Sequence, residues 1–136
     1  MRIAIAGHFH PLHIGHLQLI KGARALGDNL TVIVANDRQA LKKRPKLFMP
    51  EGERLALVYA VKGVDSVVLS VDENADVCET LRMIKPDIFV TGSSEDHADA
   101  QKEKLVCDEI GCTFIFNIGG EKMRDSSKIL EKYVNN

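Results

Sequence analysis

The chain carries almost no net charge: 18 lysines and arginines stand against 19 acids among 136 residues, a formal balance of −1. That balance removes any general electrostatic reason to expect a nucleic acid or an acidic membrane as partner, so an anion site must be local. A long apolar run is also missing. Nothing approaches the ~20 residues that cross a bilayer, and the opening Arg2-Ile3-Ala4-Ile5-Ala6 is strand-like. A cytoplasmic location is the resulting expectation. Cysteine is scarce and odd in number, and Cys78, Cys107 and Cys112 lack a Cys-x-x-Cys spacing. Neither a disulfide framework nor a zinc knuckle is suggested, and the three are expected to be reduced. Repeats, low-complexity segments and linkers are absent as well. Residues 1–136 are therefore expected to form one domain, long enough to bury a core without disulfides or metals.

What is present is an alternation of β-branched apolar runs with longer segments of helical period, the pattern of an α/β fold around a parallel sheet. Residues 2–6 read as a strand, and Leu17, Ile20, Ala23 and Leu26 recur at helical spacing over 14–26, with Gly27 placed for a left-handed cap. Leu30 to Ala35 is a continuous run of buried-strand type. Arg38 to Lys46, the most basic stretch, is read as a loop. Pro50-Glu51-Gly52-Glu53 opens a helix to about residue 61, and 65–71 supplies a third strand. Val77, Leu81 and Ile84 mark a helix closed by Lys85-Pro86, and 87–92 is a fourth strand. A polar loop at 93–97, a charged helix capped by Gly111, a fifth strand at 112–116 and a short helix over 126–134 complete the chain.

Five strands with right-handed crossovers give an α/β fold with a doubly wound, five-stranded parallel sheet, Rossmann-like in plan. Ligands bind such sheets beyond the carboxyl ends of the strands, where the strand order reverses. The histidine-rich loop after the first strand, the basic run, Gly92-Ser93 and Arg124 with Ser126 and Ser127 then converge on one crevice.

Four of the five histidines fall within Gly7-His8-Phe9-His10-Pro11-Leu12-His13-Ile14-Gly15-His16. A helix start offers unpaired N–H groups and partial positive charge, which suits phosphate, and Gly15 lets the backbone approach it closely. His13 and His16, three positions apart, can aim two imidazoles at one ligand. Such a pair suits an α-phosphorus whose equatorial oxygens gain charge as pyrophosphate leaves. The same loop could instead hold zinc through His8, His10, His13 and His16, though no Cys, Asp or Glu within it supports that. It could also be a plain β-α connection.

His13-Ile14-Gly15-His16 is an HxGH motif, and the whole segment resembles the opening of the cytidylyltransferase family, of the type acting on glycerol 3-phosphate, within the nucleotidyltransferase superfamily. Glu53-Arg54 and Lys85 to Gly92 extend the likeness, and Arg124-Asp125-Ser126-Ser127-Lys128-Ile129 resembles the family's closing Ile-Ser-Thr-Thr-x-Ile signature. The resemblance implies strand order 3-2-1-4-5, a homodimer, and transfer of a nucleoside monophosphate to a small phosphorylated acceptor. On the family pattern that is CMP from CTP to an acceptor such as glycerol 3-phosphate, with Mg²⁺ on the triphosphate and release of pyrophosphate. It implies His13, His16, Lys42 and Arg124 as catalytic groups. Gly7, His8, Phe9, Gly15, Gly92, Ser93, Arg124, Ser126 and Ser127 are implied around the nucleotide, and His10, Lys43, Arg44, Lys46 and Arg54 at the acceptor. Replacing His13 or His16 by alanine is expected to reduce turnover with little loss of stability.

Each of these has a plainer reading: Arg54 could pair with Glu51 on a helix surface, Ser126 and Ser127 could be N-caps, and the basic run could be solvated. Departures from the family leave alternatives open. Gly7-His8-Phe9-His10 stands where cytidylyltransferases have Gly-Thr-Phe-Asp, and Gly92-Ser93-Ser94 lacks the acidic pair that often follows this glycine. His10-Pro11 is closer to the Gln-Pro of adenylyltransferases. An adenylyltransferase using ATP, for example on FMN, is thus the second expectation. A nucleotide-binding sensor that has lost catalysis is the third. A fragment of an aminoacyl-tRNA synthetase fits poorly, since the chain is too short for an anticodon domain.

Overall fold

Along β1 (Arg2–Gly7) successive side chains enter two different cores, and this alternation organises the molecule. Ile3 and Ile5 face one layer with Leu30, Val32, Val34 and Val90, whereas Ala4 faces the other with Ile33 and Phe89. The computed structural model describes residues 1–43, 46–92 and 97–116. Within them, β1, β2 (Asn29–Val34), β3 (Ser66–Leu69), β4 (Ile88–Thr91) and β5 (Thr113–Phe116) form one all-parallel sheet in the order β3-β2-β1-β4-β5. The doubly wound sheet and its strand order are as expected. Helices α1 (Ile14–Arg24) and α3 (Glu51–Tyr59) cover the first face through Leu19, Ile20, Ala23 and Val58. Helices α4 (Cys78–Ile84) and α5 (Ala98–Ile110) cover the second through Leu81, Val106 and Cys107.

After β3 the chain returns to the far side of β1, so the strand order reverses between β1 and β4. The carboxyl ends of those two strands, Gly7 and Thr91, therefore flank the crevice at which a doubly wound sheet takes its ligand. Among the described residues no helix is long and apolar enough to cross a membrane. The expected helix over 126–134 lies outside the described residues.

Two local expectations need correction. The basic stretch begins as a helix, α2 (Asp37–Lys43). Asn36 accepts the Gln39 N–H through Oδ1 and Gln39 Oε1 accepts the Asn36 N–H, both at 3.0 Å, a reciprocal capping box that starts it. Gly27 is not a left-handed cap: the glycines with positive φ among the described residues are Gly63 and Gly111, and α1 ends on Ala25 in right-handed geometry. Its constraint is space, since a Cβ there would stand 2.7 Å from the Met1 carbonyl oxygen and 2.8 Å from Ile3 Cγ1. Gly111, by contrast, does cap α5 with φ 74°.

Candidate active site

The start of α1 is built from two imidazoles. His13 is the N-cap, with φ −143° and ψ 179°, and its Nδ1 accepts the Gly15 N–H at 3.1 Å. His16, at the third helical position, returns the bond: its Nδ1 accepts the His13 N–H at 3.1 Å. This is a capping box in which histidines replace the usual hydroxyl and carboxyl side chains. The rings stack with centroids 3.8 Å apart and planes 28° from parallel. A neutral imidazole has one acceptor nitrogen and one N–H, so accepting at Nδ1 places the proton of each ring on Nε2. Two Nε2–H donors thus arise from one helix start, at the carboxyl end of β1. The Gly15 N–H is taken up by the His13 cap.

Gly7 and Phe9 act beneath this pair. Phe9 has φ 53° and its ring is 1% exposed, packed at 4.6 Å from the His16 ring. A Cβ on Gly7 would stand 3.0 Å from that phenyl ring, so the glycine makes room for it. The expected nucleotide contact at Phe9 accordingly has no exposed ring to make it.

Arg54 was expected at the acceptor but is 0% exposed. Its Nη1 donates to the carbonyls of His8 at 2.9 Å and Ala35 at 2.6 Å, its Nε to that of Met49 at 2.9 Å, and its Nη2 to Asp37 Oδ1 at 2.9 Å. The guanidinium fork thereby ties the histidine loop to the end of β2 and to the segment before α3. Asp37 and Glu51 complete the knot, each carboxylate accepting the other residue's backbone N–H at 2.8 Å. A buried cation persists only where its donors are met in this way. Arg54 therefore shapes the site from below, with no surface left for an acceptor.

His10 is 3% exposed. Its Nε2 accepts the Met49 N–H at 3.0 Å, and its ring lies flat against Phe48, centroids 4.1 Å apart and planes 17° from parallel. His8 is half-buried, and its imidazole is held down to about 4 by burial first, then by the positive charges of Lys43 and Arg54. It is neutral at physiological pH.

Helix α2 distributes the basic residues unequally. Lys42 Nζ donates to the Glu73 carbonyl at 2.6 Å and lies 3.5 Å from Asn74 Oδ1. Gln39 Nε2 donates to the Asn74 and Asp76 carbonyls, and Asn36 Nδ2 to those of Ser70 and Asp72. This side of α2 therefore anchors the loop after β3, and Lys42, expected to be catalytic, takes part in that anchoring. Lys43 and Lys46 are exposed, and Gly92, the residue after β4, is half-buried. Arg44, Ser93, Arg124, Ser126 and Ser127 lie outside the described residues. Among the described residues no group of three or more His, Cys, Asp or Glu side chains is placed to hold a metal ion. Sequence reasoning missed Asp37, Phe48 and Met49. Only α2 had a local signal, the Asn36-x-x-Gln39 box.

Comparison with known proteins adds to this geometry. The cytidylyltransferase-like family model matches residues 4–109. The chain is 35% identical over 138 residues to a protein named FAD synthase from Methanoculleus marisnigri, covering 99% of this chain and 90% of that one. It is 38% identical over 107 residues to a protein of the same name from Methanolacinia petrolearia, covering 79% and 68% respectively. Among solved structures, the lipopolysaccharide core biosynthesis protein from Thermoplasma volcanium matches with a TM-score of 0.72 and 31% identity, over 91% of this chain and 98% of that one.

Proposed function

The chain belongs to the cytidylyltransferase-like family and is a nucleotidyltransferase, and from that premise we propose that it transfers AMP from ATP to FMN, forming FAD and pyrophosphate. The observation that carries the chemistry is the histidine capping box, which presents two Nε2–H donors at the strand-order reversal. The choice of ATP and FMN rests on the relatives named FAD synthase, which favour the second sequence expectation over CMP transfer to glycerol 3-phosphate. A phosphate oxygen of FMN attacks the α-phosphorus of ATP, that P–O bond forms, and the bond to the bridging β-phosphate oxygen breaks. His13 and His16 donate to the α-phosphate oxygens as their charge grows. The acceptor phosphate is already anionic at neutral pH, so positioning and charge neutralisation suffice without a covalent enzyme intermediate.

Lys43 and Lys46 supply local positive charge for phosphate groups, with Lys42 acting through the loop it holds. Arg44, Ser93, Arg124, Ser126 and Ser127 keep the phosphate and base contacts that the resemblance implies. Mg²⁺ takes oxygen ligands, whereas this loop offers imidazole nitrogen where the family has aspartate. A Mg²⁺ ion accompanying ATP would therefore find its oxygen ligands outside this loop, and would supply neutralisation of triphosphate charge. A homodimer also remains part of the proposal, and sedimentation equilibrium measures it.

The deciding experiment incubates the protein with Mg²⁺ and each pairing of ATP or CTP with FMN or glycerol 3-phosphate. FAD and pyrophosphate in equal amounts from ATP and FMN is the expected result. Preferential turnover of CTP with glycerol 3-phosphate would restore the first expectation. Tight nucleotide binding without pyrophosphate from any pairing would favour a sensor.

A further inference from the structure

The segment between α2 and α3 contains Lys46-Leu47-Phe48-Met49-Pro50, and its aromatic ring is 51% exposed. Burial of such a ring is favourable, so leaving it half in solvent is not what core packing selects. The ring is nevertheless held firmly. One face rests on the His10 imidazole at 4.1 Å and 17°. The next residue, Met49, is fixed at both backbone groups, its N–H by His10 Nε2 at 3.0 Å and its carbonyl by Arg54 Nε at 2.9 Å. Arg54 and His10 are themselves buried, and Arg54 also holds the His8 carbonyl of the histidine loop.

These contacts join Phe48 to the loop that carries His13 and His16. They also give a physical reason for histidine at position 10. A carboxylate there could accept the Met49 N–H, but it offers no flat surface beneath a phenyl ring. Imidazole does both. The outcome is an aromatic plane backed by a second ring and oriented before any ligand arrives, which lowers the ordering cost of binding.

We propose that Phe48, seated on His10, is the stacking platform for the planar ring of the acceptor, an isoalloxazine, and so sets acceptor choice against ring-free alcohol phosphates. The identity of that ring rests on the FMN reading above. Offset stacking between an aromatic side chain and a heterocycle is the interaction used.

The test compares wild type with Phe48→Ala, Phe48→Leu and Phe48→Tyr, measuring the KM for FMN and for ATP, flavin binding by visible absorbance, and melting temperature. Phe48→Ala should raise the FMN KM and flavin Kd roughly 10-fold or more, as loss of a stacking ring does. The KM for ATP should stay within about twofold, since uniform binding of the other substrate is untouched. Phe48→Tyr should bind flavin like wild type. Phe48→Leu keeps apolar bulk without a flat ring and decides the matter should the alanine variant fail to fold. Unchanged FMN affinity in the alanine variant, or leucine performing as well as tyrosine, would overturn the platform. Wild-type protein that makes no FAD defeats the functional reading separately. The flavin titration then decides the platform alone, and absent binding, or binding insensitive to Phe48, overturns it.

Discussion

The structural role of His13 and the chemical role proposed for it fall on different nitrogens, which makes them separable by mutation. Nδ1 caps α1 and Nε2–H is the donor proposed for the α-phosphate. Alanine at this position removes both. Loss of an N-cap costs about 1 kcal/mol, and loss of a transition-state donor reduces turnover by about 10² to 10³. The expectation of little stability loss on replacing His13 is thereby revised, because the cap is visible only once the ring's Nδ1 is placed. Asparagine is a good N-cap with no imidazole. His13→Asn should therefore melt close to wild type while its pyrophosphate release falls as far as in His13→Ala. Near-normal release by the asparagine variant would remove His13 from the chemistry. Arg54 teaches a related point at the same scale. An arginine near lysines suggests a phosphate contact, yet its four donations all go inward to His8, Ala35, Met49 and Asp37.

Among the elements, those that bury a regular face were legible and those fixed by distant partners were not. β1, β2 and β4 alternate between two cores or run apolar throughout, and α1 repeats at helical spacing, so pattern alone located them. Helix α2 has seven residues, of which only Gln39 and Ala40 are buried, and its charge drew attention from the capping box that begins it. The HxGH pair was legible because its partners are local. The supports of the site were not, since His10 meets Met49 across 39 positions and Arg54 meets His8 across 46. Gly27 shows how a correct residue can carry the wrong reason. As a left-handed cap it would tolerate asparagine, which visits that conformation. As a close-packed site it cannot, because any Cβ meets the Met1 carbonyl and Ile3. Gly27→Asn and Gly27→Ala should both lower stability by about 1–3 kcal/mol, the range for overpacking. Urea unfolding measures this, and an asparagine variant as stable as wild type would show that the packing around Gly27 yields to a side chain.

For the whole molecule, two partly or fully buried groups give opposite pH dependences, and one of them can be isolated by a single substitution. His8 drops from its ordinary 6.5 to about 4 through burial and neighbouring Lys43 and Arg54. Its contribution is complete above pH 6.5 and is lost as pH falls toward 4, because the unfolded chain binds a proton that the folded one refuses. Glu103 on α5 rises from 4.5 to about 8, first because it is buried and then because Asp76, Asp99 and Asp72 repel its charge. Only the Val77 N–H, accepted at 3.1 Å, favours its ionised form there. Its contribution is complete below pH 4.5 and is lost as pH rises toward 8. Between 4.5 and 6.5 the two slopes oppose each other, while from 6.5 to 8 Glu103 acts alone. Stability should therefore fall from pH 6.5 to 8, by at most about 1.4 kcal/mol per pH unit for one proton. Glu103→Gln keeps an oxygen for the Val77 N–H and carries no charge, so its stability should be level from pH 6.5 to 8. Urea unfolding of both proteins at several pH values across that window makes the comparison. A decline as steep in the glutamine variant as in wild type would place the titrating group elsewhere than on α5.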